Sequence, residues 1–467
     1  IERYLSYAGA PNWPLTIQAL ALLYAGVVFR ELSPAERWRR TGLSILNRQI
    51  LNEVSPDGIC VEPASSHQRR LLEAYLHYLI LAERQALPVP QDVRDRVQVL
   101  VDALLHLRRP DGFMLRVGEP DGDWVLPLFS RDADDWRAMF ALAAVVFDDG
   151  RYAWAAGDEA PELLWFAGTA GAQHFQRLTP EPPQEAPSQE CARAGYVQMR
   201  SGWDRHSHQL MLEVGTESGA LEEETGDLLG VQCSVFGEPI LIDPQWTGQA
   251  GHREWQDFVR PGSTHSTILI DGVPPLQRPG PVHKGPRAVL RQWSRNERYE
   301  LADASHDGYR SLAQPVVHRR RVLFVKRAYW VLIDDIQGRG RHRVELAFHL
   351  ASRSVDLDAS LWARVWTTKG PGLAIKPFAG VSLRGEVQDG VRDAGGSPPG
   401  AAALVYRCEH EVPLRVVTLL YPLRDRQTAL PNVRPFLDEE GNLSGLMLDD
   451  PAATILYSDH SVTVEAA

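Results

Sequence analysis

The stretch LTPEPPQEAPSQ, Leu178 to Gln189, separates two kinds of text in this chain. Proline fixes φ and removes a backbone donor, so a run this rich in proline and polar residues reads as a linker rather than a core element. Upstream, apolar residues recur at three and four positions. In RRLLEAYLHYLILAERQ (Arg69 to Gln85), Leu72, Tyr75, Leu76 and Leu79 share one face, which predicts an amphipathic helix. Similar patterns run through Leu15 to Phe29, Pro34 to Asn52, Pro90 to Leu107 and Asp134 to Phe147, with SPDG and RRPDG as punctuation. Successive helices on short loops pack as antiparallel hairpins.

Downstream the period becomes two. GYVQMRS, HQLMLEVG, GVQCSVFG, EPILID, STILIDG, RRVLFVKRAYWVLIDDI and VELAFHL are short runs rich in β-branched and aromatic residues, bounded by Gly, Asp and Asn. Many strands without intervening helices predict antiparallel sheets stacked as a sandwich. The expected organisation is a helical domain over residues 1–177, a linker over 178–190 and a β-sandwich over 191–467. A chain of 467 residues exceeds what one core supports, which agrees with two domains.

Composition narrows the function. A net charge of −11 argues against a nucleic-acid surface, which neutralises phosphates with a basic face. No run reaches the ~18 apolar residues of a membrane span, and the opening residues IERYLSYAGAPNWP show no secretory signal. Cys60, Cys191, Cys233 and Cys408 are far apart and form no C-x-x-C pair. Phosphate-cradling, dinucleotide and G-x-S-x-G motifs are absent from the sequence.

Four words in order, RSGWD (Arg200 to Asp204), FGEPILIDP (Phe236 to Pro244), REWQDFVRPGSTHSTILIDG (Arg253 to Gly272) and HRRRVLFV (His318 to Val325), resemble the motifs of the heparinase II/III-like family of polysaccharide lyases. In the helical half, EPASSHQRRLLEAYL and RRPDGFMLRVGEPDGD look like drifted counterparts. The resemblance implies an N-terminal incomplete α/α toroid of helical hairpins followed by an antiparallel β-sandwich, with the substrate cleft between them. It also implies cleavage of an acidic, uronate-containing polysaccharide by β-elimination, and a periplasmic or secreted setting.

The departures bear on chemistry. Before the G-x-P-x-L-x-D-P strand the family carries H-x-H-x-D, its first histidine linked to catalysis and its second to a metal. Here the text is Glu223, Glu224, Thr225, Gly226, Asp227. Asp227, Asp243 and His265 keep their places, and both histidines are gone. The helical motif that carries a tyrosine and then His-Arg reads Ser66, His67, Gln68, Arg69, so only the arginine matches.

A uronate lyase neutralises a carboxylate and removes the C5 proton beside it. By register with the family, the expected catalytic residues are Glu223, Asp227, His67 and Arg69. His67 also reads as a polar residue at a helix start. Asp243 and His265 are expected donors to a divalent metal, zinc or calcium, with Glu223 or Glu224 as a third, although both also suit ordinary sheet ends. Trp246, Trp255, Arg253 and Arg260 are expected to contact the polysaccharide, since sugars stack on aromatic platforms and arginine pairs with acidic groups.

The acidic run LEEETGD admits three readings. It is a solvated turn; or a carboxylate pair at the roughly 5 to 10 Å separation of a glycoside hydrolase on the same scaffold; or a lyase site, in which bare carboxylates would repel a uronate unless a metal or a raised pKa intervenes. A non-catalytic polysaccharide-binding or exopolysaccharide-assembly protein is a further alternative.

Overall fold

The computed structural model describes residues 2–7, 13–60, 64–117, 124–132, 134–191, 193–215, 228–243, 265–273, 275, 287–389, 402–439, 443–449, 452–459 and 461–466. The chain divides into two compact units, Ile1–Glu185 and Ala186–Ala467.

The first unit is helical. Its elements are α1 (Trp13–Val28), α2 (Ala35–Glu53), α3 (Ser65–Arg84), α4 (Gln91–Leu107), α5 (Arg137–Phe147), α6 (Gly150–Ala156) and α7 (Gly168–Arg177). Helices α1 and α2 pack closely because Gly26 and Gly42 leave no side chain between them. A Cβ at Gly26 would lie 2.6 Å from the Ala35 carbonyl, and one at Gly42 2.7 Å from the Ala19 carbonyl. The expected amphipathic helix over Arg69 to Gln85 needs correction. Helix α3 packs against α1, α4 and α5, so it buries Ser66, Gln68, Arg69, Arg70, Glu73 and His77 as well as its leucines. A helix enclosed on several sides carries buried polar groups that must find partners.

The second unit is built from antiparallel sheets, with no helix among its described residues. The first sheet runs from Gln189–Cys191 through Tyr196–Arg200, Gln209–Glu213, Val231–Val235 and Glu238–Leu241 to Arg341–Leu350, Ala402–Glu411 and Arg384–Asp389. Ile268–Ile270 also pairs with Arg341–Leu350. Val231–Val235 and Glu238–Leu241 form a hairpin on Phe236 (φ 48°) and Gly237 (φ 85°). Two successive positive φ values match the twist of a tight hairpin.

The second sheet runs from Val355–Leu357 through Ala363–Trp366, Gly372–Ala379, Leu414–Leu423, Tyr329–Gly338, Val316–Val325 and Tyr299–Tyr309 to Ala288–Arg295. Its alternate side chains enter two different cores. Val322, Phe324, Trp330 and Leu332 meet Val197, Leu212 and Ile268 of the first sheet. Leu323, Val325, Val331 and Ile333 meet Leu446, Ile455 and Val464 of a third, four-stranded sheet over Val433–Leu437, Leu443–Asp449, Ala452–Tyr457 and Val462–Ala466. A sheet covered on both faces reads as a continuous apolar run, which is why RVLFV and YWVLI show no polar alternation. The third sheet is an addition to the expected two-layer sandwich.

Candidate functional site

In the sheet unit, strand Arg341–Leu350 is the template for the candidate residues. Leu350 pairs opposite Leu241, and Leu346 opposite Ile268, so the end of one strand and the start of another lie along the same edge. Beyond the paired residues, the Ile242 N–H donates to the His349 carbonyl at 3.0 Å, the His349 N–H to Ser266 Oγ at 3.0 Å, and the Ala347 N–H to the Thr267 carbonyl at 3.1 Å. Asp243 and His265, 22 residues apart in sequence, are thereby brought together. His265 Nδ1 lies 2.6 Å from Asp243 Oδ1, and both side chains are about nine-tenths buried.

This contact fixes chemistry. With Nδ1–H donating to the carboxylate, Asp243 sets the orientation and tautomer of the His265 ring. Two ligands of one ion do not usually hydrogen-bond to each other. The 2.6 Å contact therefore places Asp243 as the group that orients His265, a different arrangement from the expected side-by-side donation. Among the described residues no group of three or more His, Cys, Asp or Glu is arranged to hold a metal. The proposed third donors, Glu223 and Glu224, lie outside the described residues, as do Asp227, Trp246, Arg253, Trp255 and Arg260.

Leu228 and Leu229, the two residues next after Asp227, are firmly held and fully buried. The Thr267 hydroxyl donates to the Leu228 carbonyl at 2.9 Å, and the Val231 N–H to the Ser266 carbonyl at 3.3 Å. The residues just after Asp227 and just after His265 are thus stitched to each other.

The helical unit, taken by itself, holds the other expected residues in the first turn of α3. Ser65 ties the helix start to the strand-like segment before residue 118: its N–H donates to the Val117 carbonyl at 2.8 Å, and its Oγ accepts from the Val117 N–H at 2.7 Å. His67 is half-buried, with its ring stacked on Trp13 at 5.9 Å between centroids. The Arg70 guanidinium lies 4.4 Å from the centre of the same indole, and that of Arg69 lies 4.7 Å from the centre of Trp124. Both arginines are buried. His67 and Arg69 lie against different tryptophans, as residues two apart in a helix point to different sides.

Sequence reading missed Arg70, Glu73 and Trp13. The spacing of three from His67 to Arg70 and of four from Arg69 to Glu73 would have placed them on the same faces. Glu73 accepts the backbone N–H groups of Val125 and Leu126, each at 2.8 Å. Burial raises its pKa above the usual carboxylate value, opposed by those two donors and by Arg69 and Arg70. Trp136, just before α5, is a core residue at 2% exposure.

Comparison with known proteins agrees across both units. Residues 183–418 match the family described as Heparinase II/III-like, C-terminal, and residues 2–145 match Heparinase II/III N-terminus. A heparin-sulfate lyase of Pedobacter heparinus is 24% identical over 379 residues, 79% of this chain and 51% of that protein. One of Bacteroides thetaiotaomicron is 23% identical over 357 residues, 72% of this chain and 46% of that protein. The chain thus spans about half the length of the curated relatives it matches. Among solved structures, the heparan sulfate lyase HepC of Pedobacter heparinus superposes with a TM-score of 0.72 at 19% identity, covering 100% of this chain and 67% of that one. A structure of heparinase III gives 0.74 at 18% identity, covering 99% and 68%. At these identities the structural likeness establishes the fold, helices first and antiparallel sheets after.

Proposed function

The chain belongs to the heparinase II/III-like family of polysaccharide lyases, and from that premise we propose that it cleaves an acidic, uronate-containing polysaccharide by β-elimination. The observation that carries the proposal is the buried His265–Asp243 pair, an imidazole polarised by a carboxylate within the segment that matches the family. Neither the family nor its relatives lend support to a hydrolase on this scaffold.

In the reaction a base takes the C5 proton, the electrons released form the C4–C5 double bond, and the C4–O bond breaks with a proton delivered to the departing oxygen. The C5 proton becomes acidic only when the adjoining carboxylate is neutralised. In our reading Arg69 supplies positive charge for that carboxylate and His67, held on Trp13, is the base candidate of the helical unit. Glu223 and Asp227 occupy the register of the family's catalytic segment, and Glu223 in its protonated form suits donation to the departing oxygen. Trp246, Trp255, Arg253 and Arg260 are assigned to sugar contacts. Of the two expected metal donors, His265 suits a divalent metal, zinc better than calcium because of the imidazole, with Asp243 orienting its ring and Glu223 or Glu224 as the proposed further donor. Such an ion would add positive charge at the uronate carboxylate.

The test is incubation with a panel of uronate polysaccharides, heparan sulfate included because the relatives are heparin-sulfate lyases. Elimination leaves a 4,5-unsaturated uronate that absorbs in the ultraviolet, which is the expected result. New reducing ends without that absorbance would overturn elimination. The replacement of both family histidines by Glu223 and Thr225 favours one second reading, a polysaccharide-binding protein without chemistry. Saturable binding with no cleavage of any panel member would establish it.

A further inference from the structure

Behind the His265–Asp243 pair lies a chain of buried polar groups that the proposed reaction does not use. Arg320 and Asp334 are fully buried, His318 likewise, and His306 is 2% exposed. Arg320 Nε donates to Asp334 Oδ1 at 2.7 Å and Nη2 to Oδ2 at 3.1 Å. His318 Nε2 lies 2.7 Å from the same Oδ1, and His318 Nδ1 lies 3.2 Å from His306 Nε2. The Gly308 N–H donates to His306 Nδ1 at 3.1 Å.

These contacts fix every proton. Since His306 Nδ1 accepts from Gly308, the proton of a neutral His306 is on Nε2 and is donated to His318 Nδ1. The His318 proton is then on Nε2 and goes to Asp334. The row runs one way, from Gly308 to the carboxylate.

Its other end is the informative one. Arg320 Nη1 donates to two carbonyls, that of Leu229 at 2.7 Å and that of Ser266 at 2.9 Å. Leu229 is the second residue after Asp227, and Ser266 directly follows His265. Leu229 is also held at φ 56°, a left-handed conformation that a leucine adopts only when its surroundings impose it. A buried ion pair is weak evidence for stability, because apolar residues of similar volume fill such a place as well. Apolar residues would not hold two carbonyls from separate loops at one nitrogen.

We propose that Arg320, fixed by Asp334 and the His318–His306 row, is a positioning residue: through the Leu229 and Ser266 carbonyls it sets the backbone just after Asp227 and just after His265. The inference rests on reading these segments as the catalytic site. A displacement of about 1 Å at a reacting group is enough to lower turnover about a hundredfold, so a positioning residue acts on kcat without touching substrate.

The test uses the whole chain. In the double variant Arg320→Met/Asp334→Asn the charges are removed together and His318 keeps an acceptor. Thr267→Val removes only the hydroxyl bond to the Leu228 carbonyl. Thermal unfolding, kcat and KM on the cleaved polysaccharide, and the 1H–15N ring resonances of His265 are compared with wild type. We expect both variants to fold, with kcat lower by about a hundredfold and about tenfold respectively, KM within about threefold, and the His265 ring resonances shifted. Wild-type kcat together with unshifted His265 resonances in the folded double variant would overturn the proposal. A double variant that fails to fold passes the decision to Thr267→Val, whose unchanged kcat and His265 resonances would overturn it equally. Should the wild type eliminate on no uronate polymer, the functional reading falls. The His265 resonances then decide the positioning claim alone, a shift in the variants supporting it and no shift refuting it.

Discussion

Acid should weaken the helical unit through a single histidine. His77 sits in the middle of α3 at 1% exposure, its ring centroid 4.0 Å from that of Phe166, and neither ring nitrogen has a partner among the described residues. Burial alone lowers its pKa from the ordinary 6.5 to about 4. In the folded chain His77 therefore stays neutral at pH values where the unfolded chain takes up a proton. Stability is intact above about pH 6.5 and declines as the pH falls toward 4. At ~1.4 kcal/mol per pH unit the full loss is about 3 kcal/mol, and about 2 kcal/mol of it is already felt at pH 5. His77→Leu removes both nitrogens at nearly the same volume and abolishes this dependence. It should also stabilise at neutral pH by about 1 to 3 kcal/mol, since no polar atom is then buried without a partner.

The assay is denaturant unfolding of the whole chain at pH 7 and pH 5, followed by helical ellipticity, with wild type and variant side by side. The difference between them should widen by about 2 kcal/mol at the lower pH. Identical pH dependence in the two proteins would refute the reasoning, because it would mean that His77 does not resist protonation in the folded unit. His208 supplies the matching effect in the sheet unit: burial brings it to about 4 as well, and its Nδ1 accepts the Phe236 N–H at 3.2 Å. The His77→Leu protein should accordingly keep the part of the acid sensitivity that belongs to His208.

Two further outcomes concern the candidate site. Glu223→Gln should lower turnover by roughly 10²- to 10⁴-fold with the fold intact, and Glu222→Gln should leave it unchanged; equal, negligible effects in steady-state kinetics would remove Glu223 from the chemistry. Asp243→Asn should reduce turnover by weakening the hold on His265 and, where metal co-purifies, reduce the metal found by elemental analysis, whereas unchanged turnover and metal content would remove Asp243 from the site.

How much of this was legible in the sequence depends on which forces are local. Hydrophobic period and proline content act over a few residues, so the passage from helices to antiparallel strands could be read at Leu178 to Gln189, and the family motifs then identified the scaffold. Burial on two faces is not local. Helix α3 looked amphipathic because its leucines recur at the right spacing, while Arg69, Arg70, Glu73 and His77 looked like a polar face. They are buried because neighbouring helices cover that face too, and no spacing rule reports the covering. Likewise, VLFVKRAYWVLI read as strands, but a second core on the far side of those strands depends on residues 433–466, more than a hundred positions on. The site divides the same way. Asp243 and His265 were found by register with a motif, yet their direct contact depends on a third strand, Arg341–Leu350, to which both segments are bonded. Arg320 was visible only as one arginine among three in HRRRVLFV. Strand alternation decides their fates: Arg319 and Arg321 pair with Asp303 and Asp335, while Arg320 turns to the opposite face, reaching Asp334 and the carbonyls of Leu229 and Ser266. Three consecutive arginines resemble a solvated basic run until the sheet to which they belong is known to have no solvated face at that point.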